Sequence, residues 1–234
     1  MGHTQADWSE HYSDGRTFRR LGDEEKRLLA KHAPVPESGG RALEVCCGTG
    51  EMAAFLACLG YTVDAADFAE DALARARAEH AEAERVRWLC LDIEHDDLAD
   101  LADDGYDLIT IRPIAHIHDR ARALRRLAAR LRKDGLLVII TPVVEHTPAE
   151  QRHIALDEDE LATLTDGFDN VERFDAEGLA VLVLRGQGLS FTAEEKRRPE
   201  PQAVFGAAVV VTDACGRVLL GRSTRGMWEL PGVH

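Results

Sequence analysis

Short apolar runs alternate with longer amphipathic stretches over most of the chain. Residues 42–47 (ALEVCC), 62–67 (TVDAAD), 86–92 (VRWLCLD), 106–112 (YDLITIR) and 136–143 (LLVIITPV) are compact and rich in β-branched residues, so they predict strands. Between them the period lengthens. Residues 51–59 predict a helix that ends at Gly60, a C-cap, and 70–84 (EDALARARAEHAEAE) predict another. In 121–133 (ARALRRLAARLRK), Leu124, Leu127, Ala128 and Leu131 recur at i, i+3, i+4 and i+7, with the arginines on the solvated face. This alternation predicts an α/β fold: a mainly parallel, Rossmann-like sheet with helices on both faces and a ligand site at the carboxyl ends of the strands. Residues 171–185 (VERFDAEGLAVLVLR) read as two strands turning at Ala176, Glu177 and Gly178, a hairpin that closes the sheet.

After this the pattern changes. Residues 190–202 (SFTAEEKRRPEPQ) are polar and carry two prolines, so they predict a linker between a domain at 1–189 and a short β-rich extension at 203–234. No internal repeat is visible.

Composition narrows the function. With 234 residues, 45% hydrophobic and 30% charged, the chain suits one full domain with part of a second, and no apolar run approaches the ~18 residues of a membrane span. The leading residues, MGHTQADWSEHYSDGR, hold no apolar stretch, so no signal peptide is expected and the cytoplasm is the default location. Five scattered cysteines predict reduced thiols, with Cys46 and Cys47 as small buried hydrophobes. Neither CxxC nor HExxH occurs, so no metal site is expected. A net charge of −14 disfavours nucleic acid and leaves small-molecule chemistry.

The stretch LEVCCGTGE at 43–51 runs an apolar strand into a glycine turn and a helix. Gly48 and Gly50 let the backbone approach a ligand closely, and the helix start offers free N–H donors. GTGEMA at 48–53 also satisfies the dinucleotide pattern G-x-G-x-x-G/A, with Asp67 about 20 residues on. Yet Glu44, Asp67 and Asp92 place three carboxylates at successive strand ends, which would repel a pyrophosphate. Carboxylates instead suit ribose hydroxyls, an amino group and an ammonium.

At these residues the chain resembles the class I S-adenosylmethionine-dependent methyltransferases, over roughly residues 8 to 186. The matching pieces are ALEVCCGTGE, GYTVDAADFAEDAL, VRWLCLDIEH, YDLITIRPIAHIHD and LRKDGLLVIITP, in the family's order. The resemblance implies S-adenosylmethionine as cofactor and a seven-stranded sheet whose last strand is antiparallel. It implies that Glu44 and the backbone of Cys46, Gly48, Thr49 and Gly50 hold the methionine part, that Asp67 takes the ribose hydroxyls, and that Asp92, Ile93 and Phe68 meet the adenine. One position departs from the family pattern E/D-x-G-x-G-x-G: Cys46 stands for its first glycine.

For the chemistry, His116 and His118 follow strand four as candidate bases or substrate contacts, and Arg112 could hold a substrate carboxylate or pair with a site acid. Trp8, His11, Tyr12 and Arg16 are candidates for a segment folding over the cofactor, with Tyr12 also counted among the catalytic candidates. His146 and His153 join the acceptor pocket candidates. The expected reaction is methyl transfer to an N, O or aromatic C nucleophile of a small, specialised metabolite. A nicotinamide-dependent oxidoreductase and a non-catalytic cofactor-binding or assembly subunit are the alternatives. Residues 203–234 resemble the opening of a Nudix hydrolase domain, including its W-E-L-P-G turn, without the glutamate-rich helix that holds that family's metal. No hydrolysis is expected of it, and because so short a fragment cannot bury its own core, its strands are expected to dock on the body of the first domain or on a second copy in a homodimer.

Overall fold

The computed structural model describes residues 5–17, 19–186, 221–222 and 228–229. The chain divides into two compact units, residues 1–192 and 193–234. The first holds helices α1 (Gln5–Ser13), α2 (Asp23–His32), α3 (Glu51–Leu59), α4 (Glu70–Glu79), α5 (Arg120–Ala128) and α6 (Glu158–Thr165). Its strands are β1 (Gly40–Val45), β2 (Tyr61–Asp67), β3 (Val86–Cys90), β4 (Tyr106–Ile111), β5 (Leu131–Pro142), β6 (Asn170–Ala176) and β7 (Leu179–Arg185). They form one sheet in the order β3-β2-β1-β4-β5-β7-β6. Only the pairings of β7 with β5 and β6 are antiparallel. This is the Rossmann-like sheet with a closing hairpin that the alternation predicts.

Both faces of the sheet are covered, and the side-chain period of two sorts each strand between them. Leu43, Val45, Ile109, Leu137, Ile139 and Leu182 pack with Leu124 and Leu127 of α5 and Leu161 of α6. Their neighbours Ala42, Leu108, Val138, Ile140 and Val181 face the other way, onto Leu28 and Leu29 of α2, Leu56 of α3 and Leu73 of α4. Parallel register aligns the carboxyl ends: Val45 lies opposite Ala66 and Ile111, and Asp67 opposite Cys90. The loops after β1, β2, β3 and β4 therefore share one edge.

Several boundaries differ from expectation. Strand β1 stops at Val45 because Cys46 turns into the left-handed region, φ 59°, which extended backbone cannot continue. Helix α4 ends at Glu79, where His80 leaves helical geometry and turn hydrogen bonds from Ala83 and Val86 steer the chain into β3. Helix α5 ends at Ala128, and Leu131 pairs with Tyr106 as the first residue of β5. Leu131 thus belongs to the sheet and not to the helical stripe. Gly60 caps α3 at φ 115° as read.

In the second unit, Gly221–Arg222 (β8) pairs antiparallel with Trp228–Glu229 (β9). The predicted linker at 190–202 and the rest of residues 203–234 lie outside the described residues. Among the described residues no helix is long and apolar enough to cross a membrane.

Candidate active site

The turn after β1 is dictated by close contacts. Residues 46, 48 and 50 all have positive φ, at 59°, 53° and 80°. A Cβ on Gly50 would lie 2.3 Å from the ring of Trp88, and one on Gly48 2.8 Å from the Tyr12 hydroxyl. Cys46 takes a left-handed conformation of the kind glycine favours, and burial, with Asp67 and other acids nearby, pushes its thiol well above the usual range. A thiol held this way is a packed small side chain and not a nucleophile. The turn is pinned by Cys47 N donating to Ala66 O at 3.0 Å and by Gly48 N donating to the Asp67 carboxylate at 2.8 Å.

The acids differ in what they have left to bind. Asp67 is buried and accepts from the amides of Gly48 and Ala69, so its further capacity lies in the remaining lone pairs. Burial raises its carboxyl above the usual range against those bonds. Glu44 is 3% exposed and points from β1 towards the start of α3, where the Ala53 amide supports it. Its Oε2 has no hydrogen-bond partner. Burial, opposed by Arg112 and Ala53 and reinforced by Asp67 and Glu51, pushes its carboxyl from the ordinary 4.5 up to about 8. Asp92 is spent locally: it accepts from Glu94 N at 2.9 Å and meets His95 Nδ1 at 2.8 Å. Its partial burial acts upward, but His95 and these amides outweigh it and hold the carboxyl below the usual range.

Three cavities open along this edge. The innermost, of about 60 Å³, is lined by Glu44, Cys46, Gly48, Thr49, Asp67 and Tyr12. A second, of about 170 Å³, is lined by Phe68, Asp92, Ile93, Glu94 and His118, and shares Cys46 and Asp67 with the first. The outer groove, of about 890 Å³, lies between α1, the short helices at Val144–His146 and Ala149–Ile154, and the hairpin turn at Glu177 and Gly178. His11, Arg16, His146 and His153 line this groove. His116 lines all three.

The leading segment folds over the inner cavity. Tyr12 is buried against Ala69, just before α4, and Ala72 within it, and its ring stacks on Trp8 at 5.8 Å. Trp8 meets His116 edge-on at 4.6 Å. Arg75 of α4 donates to the carbonyls of Tyr12 and Arg16, at 3.2 and 2.7 Å. Burial drives the Tyr12 phenol far above its usual range, so it stays protonated.

Arg112 is engaged with an acid that the sequence reading did not name. Its guanidinium is bonded to Glu25 at 2.8 Å and to the carbonyls of Arg19 and Arg20, at 2.8 and 3.0 Å, with only 9% of the side chain exposed. It fastens the leading segment to the sheet and also lines the inner cavity. It is bonded to Glu25 of α2, and its charge also acts on Glu44, one of the three acids read from the sequence. Helical spacing puts Glu25 on one face with Leu28 and Leu29, a signal that could have marked it as a buried acid. Sequence reading also missed Glu51, which accepts from Leu21 N at 2.9 Å, and Glu94, which receives the amides of His118 and Asp119. His118 itself is exposed, with Nδ1 3.3 Å from Glu94. Among the described residues no three His, Cys, Asp or Glu are placed to hold a metal ion.

Comparison with known proteins agrees with this geometry. Residues 42–135 match the model of a methyltransferase domain. It is 32% identical over 135 residues to a demethylmenaquinone methyltransferase of Clavibacter sepedonicus, covering 56% of this chain and 53% of that protein. It is 28% identical to methyltransferase GfsG of Streptomyces halstedii, over 83% of this chain and 71% of that one. The chain spans about half the length, or less, of the first curated relatives it matches. Among solved structures, a Burkholderia thailandensis 1,6-didemethyltoxoflavin-N1-methyltransferase superposes with a TM-score of 0.57 at 24% identity, covering 79% of this chain and 86% of that one. That likeness establishes the fold.

Proposed function

We propose that this chain is an S-adenosylmethionine-dependent methyltransferase acting on a small-molecule acceptor, with the cofactor in the two inner cavities and the acceptor in the outer groove. The observation that carries it is the convergence of all three cavities on His116. The solved Burkholderia methyltransferase has 1,6-didemethyltoxoflavin and S-adenosylhomocysteine bound, which supports a site that takes a cofactor and an acceptor together.

The residues present fit the cofactor. The unpartnered Oε2 of Glu44 is an acceptor awaiting a cationic donor, and the close approach at Gly48 leaves no room for a side chain above the turn. When bound, S-adenosylmethionine supplies an electrophilic methyl group on a sulfonium. Glu44 and the turn at Cys46, Gly48, Thr49 and Gly50 would hold the methionine end. Asp67, shared between the two inner cavities, would accept from ribose hydroxyls, and Phe68, Asp92 and Ile93 would border the adenine. Trp8 and Tyr12 exclude water, and His116 takes a proton from the acceptor. Positioning and desolvation do most of the work in such a transfer.

Replacing Asp67 by alanine and titrating with S-adenosylhomocysteine tests the central assignment. A charge-assisted bond is worth ~1.5–3 kcal/mol, so affinity is expected to fall at least about tenfold. Unchanged affinity, or tighter binding of NAD than of S-adenosylhomocysteine, overturns the reading. Residence in the cytoplasm, the Nudix-like origin of residues 203–234 and pairing of two copies through that segment belong to the same proposal, and light scattering after deletion of 201–234 tests the pairing.

A further inference from the structure

The place where the acceptor groove meets the inner cavity has a distinct chemistry. Four residues line both: Trp8, Thr17, Arg19 and His116. No carboxylate is among them. Arg19 is the one full cation of the four, and Glu177, across the groove, is engaged with it at 2.6 Å. The groove's volume of about 890 Å³ is some five times that of the adjoining cavity of about 170 Å³, and lies near the top of the ~300–1,000 Å³ usual for small-molecule sites.

We propose that the acceptor is a multi-ring molecule methylated on an acidic hydroxyl, a phenol or an enol. This rests on the methyltransferase reading above and deepens it. A protonated amine would need an anion beside the reacting atom, and the four shared residues offer a guanidinium, an imidazole, an indole and a hydroxyl instead. Negative charge developing on an oxygen is favoured by the same groups. An imidazole takes a proton far more readily from a phenol than from an aliphatic alcohol, because proton transfer follows the acidity gap. Trp8 holds His116 edge-on at 4.6 Å and gives the ring system of an aromatic acceptor a wall to pack against. In the transfer, an oxygen lone pair forms the bond to the methyl carbon as the carbon–sulfur bond breaks. That bonding pair stays on sulfur, leaving the neutral thioether of S-adenosylhomocysteine. The hydroxyl proton passes to His116 and then to water.

The test uses the full chain, S-adenosylmethionine labelled in its methyl group, and five probes: p-cresol, 2-naphthol, quercetin, 2-naphthylamine and cyclohexanol. Label is expected in the phenols, with kcat/KM rising at least tenfold from p-cresol to quercetin, and not in the amine or the aliphatic alcohol. His116→Gln is expected to lower phenol transfer at least a hundredfold at saturating S-adenosylmethionine, with S-adenosylhomocysteine binding still measurable by calorimetry. The inference is overturned if 2-naphthylamine or cyclohexanol is methylated as fast as the phenols, if p-cresol is used as well as quercetin, or if no phenol is labelled by protein that binds S-adenosylhomocysteine. Failure to bind S-adenosylhomocysteine at all would instead overturn the methyltransferase reading itself.

Discussion

Glu44 allows a prediction whose size follows from its surroundings. The carboxyl is buried, one of its oxygens has no partner, and its proton is held up to about 8 against an ordinary 4.5. Between those values the folded chain keeps a proton that the unfolded chain has released, so the stability it contributes is fully present below about 4.5 and is lost as pH rises to about 8. Glutamine copies the protonated acid in shape and charge and does not titrate. Glu44→Gln should therefore gain on the parent as pH rises, the difference in unfolding free energy widening by about 2 kcal/mol between pH 6 and pH 8. Urea denaturation of both proteins at the two pH values measures this, and comparing the variant with its parent cancels the other titrating groups. The same change should weaken S-adenosylhomocysteine roughly tenfold or more, because a neutral amide cannot supply a charge-assisted bond worth ~1.5–3 kcal/mol. A gap that stays constant between pH 6 and pH 8 would refute the reasoning and mean that water reaches the carboxylate.

Three further substitutions probe the frame of the site. Cys46→Gly relieves a left-handed residue costing ~1–2 kcal/mol but adds ~0.5–1 kcal/mol of chain entropy, so stability should rise by no more than about 1.5 kcal/mol. Cofactor affinity should be unaltered, and a tenfold loss by calorimetry would show that the thiol is used. Gly50→Ala places a Cβ 2.3 Å from Trp88 at φ 80°, and such overpacking should lower stability by more than about 2 kcal/mol in thermal denaturation. An unchanged melting temperature would contradict the packing described. Arg112→Met strands the buried Glu25 carboxylate and should cost about 3–5 kcal/mol, much of it recovered in the double variant with Glu25→Leu. Additive losses in urea denaturation would show that the pair is not coupled.

The sheet was legible because its strands are short apolar runs between amphipathic stretches, and because parallel connections bring every carboxyl end to one edge. Element ends were less legible where two patterns overlap. Leu131 fits both the i+7 place of the α5 stripe and the first place of β5, and its pairing with Tyr106, 25 residues earlier in sequence, decides between them. Cys46 reads as one more apolar strand residue, and only the tight geometry of the turn that follows shows that it must leave the strand. The acids at the strand ends could be found from order alone. The Arg112–Glu25 pair could not, since its partners stand 87 residues apart and meet only because α2 packs beside the end of β4. Trp88 under Gly50, and Glu94 beneath His118, were hidden for the same reason.

Counting carboxylates at one edge identifies a site for a cationic ligand, but the structure ranks those carboxylates by what each still lacks. Glu51 is satisfied by the Leu21 amide, Asp67 by those of Gly48 and Ala69, and Asp92 by Glu94 and His95. Among the described acids, Glu44 alone keeps a fully buried oxygen with no partner. Leaving such a group unpaired costs ~1–3 kcal/mol in the empty protein, and a cation bound against it would recover that energy together with the attraction of opposite charges. The cost and the affinity are two sides of one arrangement, in which β1 carries an acid into the core and α3 supplies only one amide to meet it. The residues that line both the inner cavity and the outer groove, Trp8, Thr17, Arg19 and His116, include no carboxylate, so the strand-end acids lie on the inner side of that junction.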